Sequence, residues 1–169
     1  MTTPTVHLRA LEPEDLDDLY AIENDRAIWC VGHTNVPYSR YALHDYIATQ
    51  QADIYADRQL RLIISDAEGQ TVGMVDLMNF DPQHQRAELG IVVKQAARRK
   101  GFGTGAVSAI LNYARRTLHL HQVYVVVGED NDEALSLFRK TGFADGGRLR
   151  DWLFDGTGYH DAVLMQIFL

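Results

Sequence analysis

Residues Val92 to Ala106, VVKQAARRKGFGTGA, combine two groups that handle phosphate. Gly101, Gly103 and Gly105 carry no Cβ, so the backbone there can turn its N–H groups inward and come close to a ligand. Arg98, Arg99 and Lys100 place three cations directly before them. An apolar run, Leu89 to Val93, leads into the segment, and a helix pattern follows it. A helix start adds unpaired amides and roughly half a positive charge. The loop amides from Arg99 through Phe102 and Thr104 to Gly105 thus form an anion cradle suited to a phosphate or pyrophosphate.

The letters Gly101-x-Gly103-x-x-Ala106 also spell the dinucleotide fingerprint, and Glu129 and Asp130 lie about 20 residues further on. The context argues against that reading. The fingerprint's first glycine belongs almost at the strand end, yet Ala96 to Lys100 intervene, and the segment comes mid-chain after antiparallel-looking strands. Three cations suit a ligand with more phosphate charge than a nicotinamide dinucleotide. No Gly-Lys-Ser/Thr follows, so a P-loop is excluded. The plain structural alternative is a glycine loop that merely lets a strand and a helix pack closely.

The elements that must position this loop can be read on either side of it. Val6 to Leu11 reads as a strand, and Glu12-Pro13-Glu14-Asp15 opens a helix with Leu16, Leu19 and Tyr20 at helical spacing. Trp29 to Tyr38 is irregular. Ser39 caps a second helix to about Gln51, with Tyr41, Leu43, Tyr46 and Ile47 as its apolar contacts. Strands follow at Leu60 to Ser65, Thr71 to Phe80 and Ala87 to Val93, joined by turns at Asp66 to Gln70 and Asp81 to His84. After the loop come a helix from Gly103 to Leu118, a β-branched strand from Gln122 to Val127, a short helix ending at Thr141-Gly142, and a hairpin from Arg148 to Phe168 around Gly156 to Gly158. This order predicts one α+β domain over residues 1–169, with a mixed, mostly antiparallel sheet of six or seven strands and about four helices. Only the unit from Ala87 to Val127 needs a parallel crossover.

The chain has 169 residues, 46% of them hydrophobic, and a formal net charge of −7. That balance argues against general nucleic-acid binding and is compatible with a cationic substrate, although modest acidity is also a common route to solubility. The lone Cys30 excludes an internal disulfide and fits a reducing compartment. No apolar run reaches the roughly 18–20 residues of a membrane span, and the first residues lack a signal-peptide core. A cytoplasmic protein that needs no membrane is the expectation. His84, His119 and His121 show no ligand spacing, so no metal is expected.

Arg98-x-x-Gly101-x-Gly103 resembles the acetyl-CoA loop of the GNAT superfamily of N-acetyltransferases. Arg86 to Ile91 resembles that family's fourth strand. Glu129 to Ala134, followed by Leu137-Phe138-Arg139-Lys140-Thr141-Gly142-Phe143, resembles its asparagine and glycine–phenylalanine segment. The likeness extends over nearly the whole chain and is strongest to diamine/spermidine N-acetyltransferases and to ribosomal-protein N-terminal acetyltransferases.

That resemblance implies transfer of an acetyl group from acetyl-CoA to a primary amine by direct attack in a ternary complex. The acceptor would be a polyamine such as spermidine, a protein N-terminus in the second subfamily, or no productive acceptor if the chain is an acyl-CoA-binding module. It implies that Ile91, Val92 and Val93 offer a strand edge to pantetheine and a backbone amide to the thioester carbonyl. Asn131, with Ala134 and Phe138, would complete the grip. An alkyl amine is almost wholly protonated near neutral pH, so a base is required. Glu88 is the first choice, and Asp76, inside an otherwise apolar strand, is the helper or a substrate contact. Many relatives place a tyrosine acid where this chain has Phe138; Ser136 and Tyr159 are weak substitutes. Glu23, Asp76, Trp29 and Trp152, with Asp151 and Asp155, would line an acceptor pocket near Cys30 and His33. Members of the family often pair, so a homo-oligomer is compatible with the resemblance.

Overall fold

The computed structural model describes residues 4–29, 36–51 and 53–169. Seven strands form a continuous sheet: β1 (His7–Ala10), β2 (Leu60–Ser65), β3 (Thr71–Asp81), β4 (Arg86–Val93), β5 (Gln122–Gly128), β6 (Ala144–Phe154) and β7 (Tyr159–Phe168). Their order is β1-β2-β3-β4-β5-β7-β6, and only β4 and β5 run parallel. The substantial helices are α1 (Leu16–Glu23), α3 (Arg40–Thr49), α5 (Phe102–Arg116) and α6 (Asp132–Lys140). Two single turns, α2 (Arg26–Trp29) and α4 (Ile54–Asp57), lie in stretches whose sequence shows no helical period. The fold class is therefore the expected one, with the sheet at the upper strand count.

Local chemistry sets the turns. The Asp66 carboxylate accepts hydrogen bonds from the Glu68 and Gln70 amides (3.1 and 2.8 Å) and closes the β2–β3 hairpin. Asp81 accepts from the His84 amide at 3.0 Å and turns β3 into β4. Ser39 caps α3 through the Ala42 amide (3.0 Å), as its type and position predict. One predicted contact differs: Tyr41 is 81% exposed. It lies on the outer side of α3, whose packed residues are Leu43, Tyr46 and Ile47.

The sheet separates two cores. On one face, α5 buries Ala106, Val107, Ile110, Leu111 and Ala114 with α6 residues Leu135 and Phe138. Each fully buried Val or Ile side chain there contributes about 1.5–3 kcal/mol by leaving water. On the other face, α1 and α3 cover Ile63 and Met74 with Leu19, Ile22 and Leu43. Strand alternation assigns side chains to these faces. Leu89 packs into the first core, while Val92 packs against the second.

The central feature is the short pairing of β4 with β5. It spans only Arg86↔Gln122, Ala87↔Val123 and Glu88↔Tyr124. Beyond that point β4 continues against β3 to Val93, and β5 continues against β7 to Gly128. The two strands diverge and leave facing backbone edges that, among the described residues, no strand fills.

Candidate active site

The hydrogen-bond phase of β4 shows which groups face this gap. The Lys94 amide donates to the Val72 carbonyl at 2.8 Å. In an antiparallel pair such bonds recur at alternate residues, so Val92 and Gly90 also turn their backbone toward β3. Ile91 and Val93 therefore turn their N–H and C=O groups toward β5. The Val93 carbonyl accepts from Arg98 Nε at 3.0 Å, as this phase requires. Val92, grouped with its neighbours from the sequence, faces the gap by neither backbone group. The same alternation on β5, fixed by the Glu129 amide on the Asp161 carbonyl (3.0 Å), turns Val126 and Gly128 toward β4.

The loop continues from this edge. Gly101 caps α5 with φ 90, a conformation open to glycine, and a Cβ there would lie 2.7 Å from Pro4 Cδ. The Gly105 amide makes the first helical bond, to the Gly101 carbonyl (3.0 Å). The amides of Phe102, Gly103 and Thr104 precede it as helix-start donors, with no side-chain cap. Arg98, Arg99 and Lys100 are exposed. Arg99 is ion-paired to Glu133 at 2.7 Å, and that hydrogen bond holds the Glu133 carboxyl below its usual range. Asn131 caps α6, its Oδ1 accepting from the Ala134 amide (3.2 Å), which leaves its NH2 group for the gap. These groups fit an extended, amide-rich arm ending in a pyrophosphate.

A cavity of about 490 Å³ runs through the gap. At one end it is lined by Asn131, Ala134 and Phe138. At the other it is lined by Glu23, Trp29, Tyr38, Tyr46, Arg61 and Asp76, with Glu88, Gly90 and Ile91 between. Gly90 faces Asp76 and Met78, and a Cβ there would meet Met78 Cε at 3.0 Å. Its bare backbone keeps the passage between Asp76 and Glu88 open. The Trp29 indole donates to the Glu23 carbonyl at 3.0 Å. Asn24 holds the Tyr38 backbone through two hydrogen bonds of 2.8 and 3.1 Å. The end of α1 thus fixes the aromatic wall.

Glu88 sits at the apex of the divergence. Its Oε2 accepts from Asn79 Nδ2 at 2.7 Å. Asn79 lies where the β3–β4 register shifts, with φ 49. The left-handed region costs a non-glycine residue about 1–2 kcal/mol, least for Asn, and here the bulge aims the carboxamide at Glu88. Tyr124 stands opposite Glu88 on β5. Burial raises its pKa, and the Glu88 charge adds to that shift, so the phenol stays protonated as a donor beside the carboxylate. Arg86, two residues before Glu88 on β4, pairs with Asp81 at 3.2 Å.

Asp76 is not a solvent-facing strand residue. Arg61, opposite it on β2, donates Nε and Nη2 to its two oxygens (2.8 and 2.9 Å) and Nη1 to Glu23 (2.6 Å). Tyr46 lies 5.7 Å from the guanidinium. Burial opposes the Arg61 charge, but the hydrogen bonds and charge of Asp76, with Tyr46 and Glu23, hold its pKa above the ordinary arginine value. Sequence reasoning missed Arg61, Tyr46, Asn79 and Tyr124. For Arg61 the available signal is its distance from the Asp66–Gln70 turn, which nearly mirrors that of Asp76.

Other predicted residues lie elsewhere. Trp152 is 58% exposed on β6 and does not line the cavity. Asp155 organises the β6–β7 turn by accepting from Thr157 and Gly158, and Asp151 sits on the same outer hairpin. Tyr159 stacks on Phe154 at 5.1 Å beyond the cavity, and Ser136 is exposed on α6, so neither replaces an acid at Phe138. Phe138 itself is buried edge-on against Phe143 (5.2 Å). Cys30 and His33 lie outside the described residues. Among the described residues, no three His, Cys, Asp or Glu side chains gather as a metal site, and no helix is long and apolar enough to cross a membrane.

Comparison with known proteins bears on this geometry. The chain is 28% identical over 168 residues to spermidine N(1)-acetyltransferase of Escherichia coli K12, covering 97% of this chain and 86% of that one. It is 27% identical to the putative ribosomal N-acetyltransferase YdaF of Bacillus subtilis, covering 96% and 90%. The crystal structure of spermidine N-acetyltransferase from Vibrio cholerae in complex with CoA and spermine superposes with a TM-score of 0.85 at 29% identity, covering 96% of this chain and 95% of that one. The family model for an acetyltransferase (GNAT) domain matches residues 5–144. The chain belongs to the GNAT family of acetyltransferases, which use acetyl-CoA, and it is an N-acetyltransferase.

Proposed function

We propose that the 169 residues act as a single N-acetyltransferase domain that acetylates a primary amine of a polyamine of the spermidine class. The observation that carries this reading is the single cavity joining the β4–β5 gap to a carboxylate-bearing aromatic chamber, with Glu88 at the junction. Net charge −7 favours a cationic acceptor, and the spermidine acetyltransferases named above support the choice. Bound acetyl-CoA supplies an acetyl thioester. The loop amides from Arg99 to Thr104 hold its pyrophosphate, since the Gly105 amide is spent on the Gly101 carbonyl; Arg98 and Lys100 screen the charge, and Ile91, Val93 and Asn131 hold the arm. The Ile91 or Val93 amide donates to the thioester oxygen as charge builds there.

Glu88 takes the proton from the amine, directly or through water, while Asn79 and Tyr124 hold its carboxylate. The N–C bond then forms as the C–S bond breaks, and the nitrogen releases its second proton to solvent. The thiolate is a fair leaving group and takes its proton from solvent, since Phe138 has none to give. Methylene segments of the acceptor lie along Trp29, Tyr38, Met74 and Met78.

Thiol release measured from pH 7 to 9 with spermidine, spermine and short peptides tests the reading. Turnover with the polyamines is expected. Turnover with peptides alone would transfer the chain to the N-terminal class. Tight acetyl-CoA binding without release would make it a binding module.

A further inference from the structure

The acceptor half of the cavity contains three carboxylates, Glu23, Asp76 and Glu88, and one guanidinium, Arg61. They are not equivalent. Asp76 and Glu23 are both engaged by Arg61, and the three side chains are only 14–16% exposed. Three of the five Arg61 N–H groups are used in these contacts. Among the described residues Glu88 makes no ion pair; its partners are the neutral Asn79 and Tyr124. The planar fork of Arg61 matches the Asp76 carboxylate more closely than an incoming ammonium can, so a substrate cation does not displace it readily.

We propose that Arg61 is a specificity-determining residue: its guanidinium fills the Asp76–Glu23 pair as a built-in cation and limits how much positive charge the chamber admits. This rests on the polyamine reading. The attacking amine is received at Glu88, and further ammonium groups of the same acceptor are held toward the cavity mouth. Without Arg61, two buried carboxylates would draw a second cation inward. A unit charge placed about 6–8 Å from a substrate cation changes binding by roughly tenfold where the effective dielectric constant is about 35, between the protein-surface and bulk-water values expected for a chamber open to solvent.

The test compares kcat/KM for spermine and for 1,4-diaminobutane in wild type, Arg61→Gln, Arg61→Lys and Glu23→Gln. Arg61→Gln should raise the spermine-to-diaminobutane ratio about tenfold. Arg61→Lys, which keeps the charge, should keep the ratio within twofold of wild type, and this separates charge from lost packing. Glu23→Gln leaves the Arg61–Asp76 fork intact and makes the chamber one charge more positive; its ratio should fall, and it carries the test if Arg61→Gln does not fold. A ratio unchanged within twofold in both Gln variants, or in Glu23→Gln when it alone folds, overturns the role of Arg61. A wild type that binds acetyl-CoA yet turns over neither amine overturns the polyamine reading instead.

Discussion

The donor and acceptor halves of the cavity are built from different materials. The donor half is largely backbone: the Ile91 and Val93 edge, the start of α5 after Gly101, and the cap at Asn131. The acceptor half is side chain: Glu23 from α1, Tyr46 from α3, Arg61 from β2 and Asp76 from β3. A backbone site reads what every acyl donor of one kind shares, an extended amide chain and a pyrophosphate. A side-chain site can be retuned one residue at a time without touching the donor. The difference predicts that substitutions separate cleanly into donor and acceptor effects, with Glu88 at the boundary affecting the chemical step alone.

The largest expected effect is at that boundary. Glu88→Gln keeps the size of the side chain and its contact with Asn79 but cannot accept the amine proton. Its kcat should fall about 100- to 10,000-fold, the usual worth of a positioned general base. The dissociation constant for acetyl-CoA, read by calorimetry, should stay within twofold. Tyr124→Phe removes the phenol that contacts both Glu88 and Asn79 and should lower kcat several-fold. In wild type burial and the Glu88 charge raise the pKa of Tyr124, so its phenol stays protonated and its ionisation should cause no loss of rate across pH 7 to 9. A Glu88→Gln variant with near-normal kcat would remove Glu88 from the mechanism and break the proposed boundary.

A smaller and one-sided effect is expected at Gly101. An alanine there must adopt φ 90 and would place its Cβ 2.7 Å from Pro4 Cδ. Left-handed strain of about 1–3 kcal/mol displaces the loop amides, so affinity for acetyl-CoA should weaken roughly tenfold or more. KM for the amine at saturating acetyl-CoA should not move. Equal losses for both substrates would show that the two halves are mechanically coupled.

The same division explains what could be read from the chain alone. The anion cradle of the donor half was legible because it is contiguous: a strand, a basic glycine loop and a helix start occupy Leu89 to Ala106, and local rules suffice, whereas the roles of the strand edge and of Asn131 came from the family resemblance. The antiparallel neighbours β2–β3–β4 also followed, because turns such as Asp66 to Gln70 announce hairpins, whereas the placing of β7 between β5 and β6 did not. The acceptor half was not legible in this way. Arg61 looks like an ordinary outward arginine in LRLIIS, and only the β2–β3 register places it against Asp76. Trp152 and its neighbouring carboxylates have the composition of an amine pocket, yet they sit on the outer hairpin, because residue type carries no information about which sheet edge a strand occupies. The backbone phase that faces Ile91 and Val93 to the gap, and Val92 away, needs the β3 pairing as well.

The smallest effect tests whether the donor half is held by backbone or by charge. Arg99 is the most conspicuous cation of the loop, but its side chain is 86% exposed and engaged with Glu133. Ion pairs this exposed contribute little and weaken with salt. If the amides of the α5 start do most of the holding, Arg99→Ala should raise KM for acetyl-CoA by less than about threefold at low salt, and the difference should vanish near 0.5 M salt, where screening is nearly complete. A loss above tenfold that persists in high salt would mean that Arg99 leaves Glu133 to grip the pyrophosphate directly. The donor half would then depend on a side chain as the acceptor half does, and variation at this one position would tune affinity for the acyl donor.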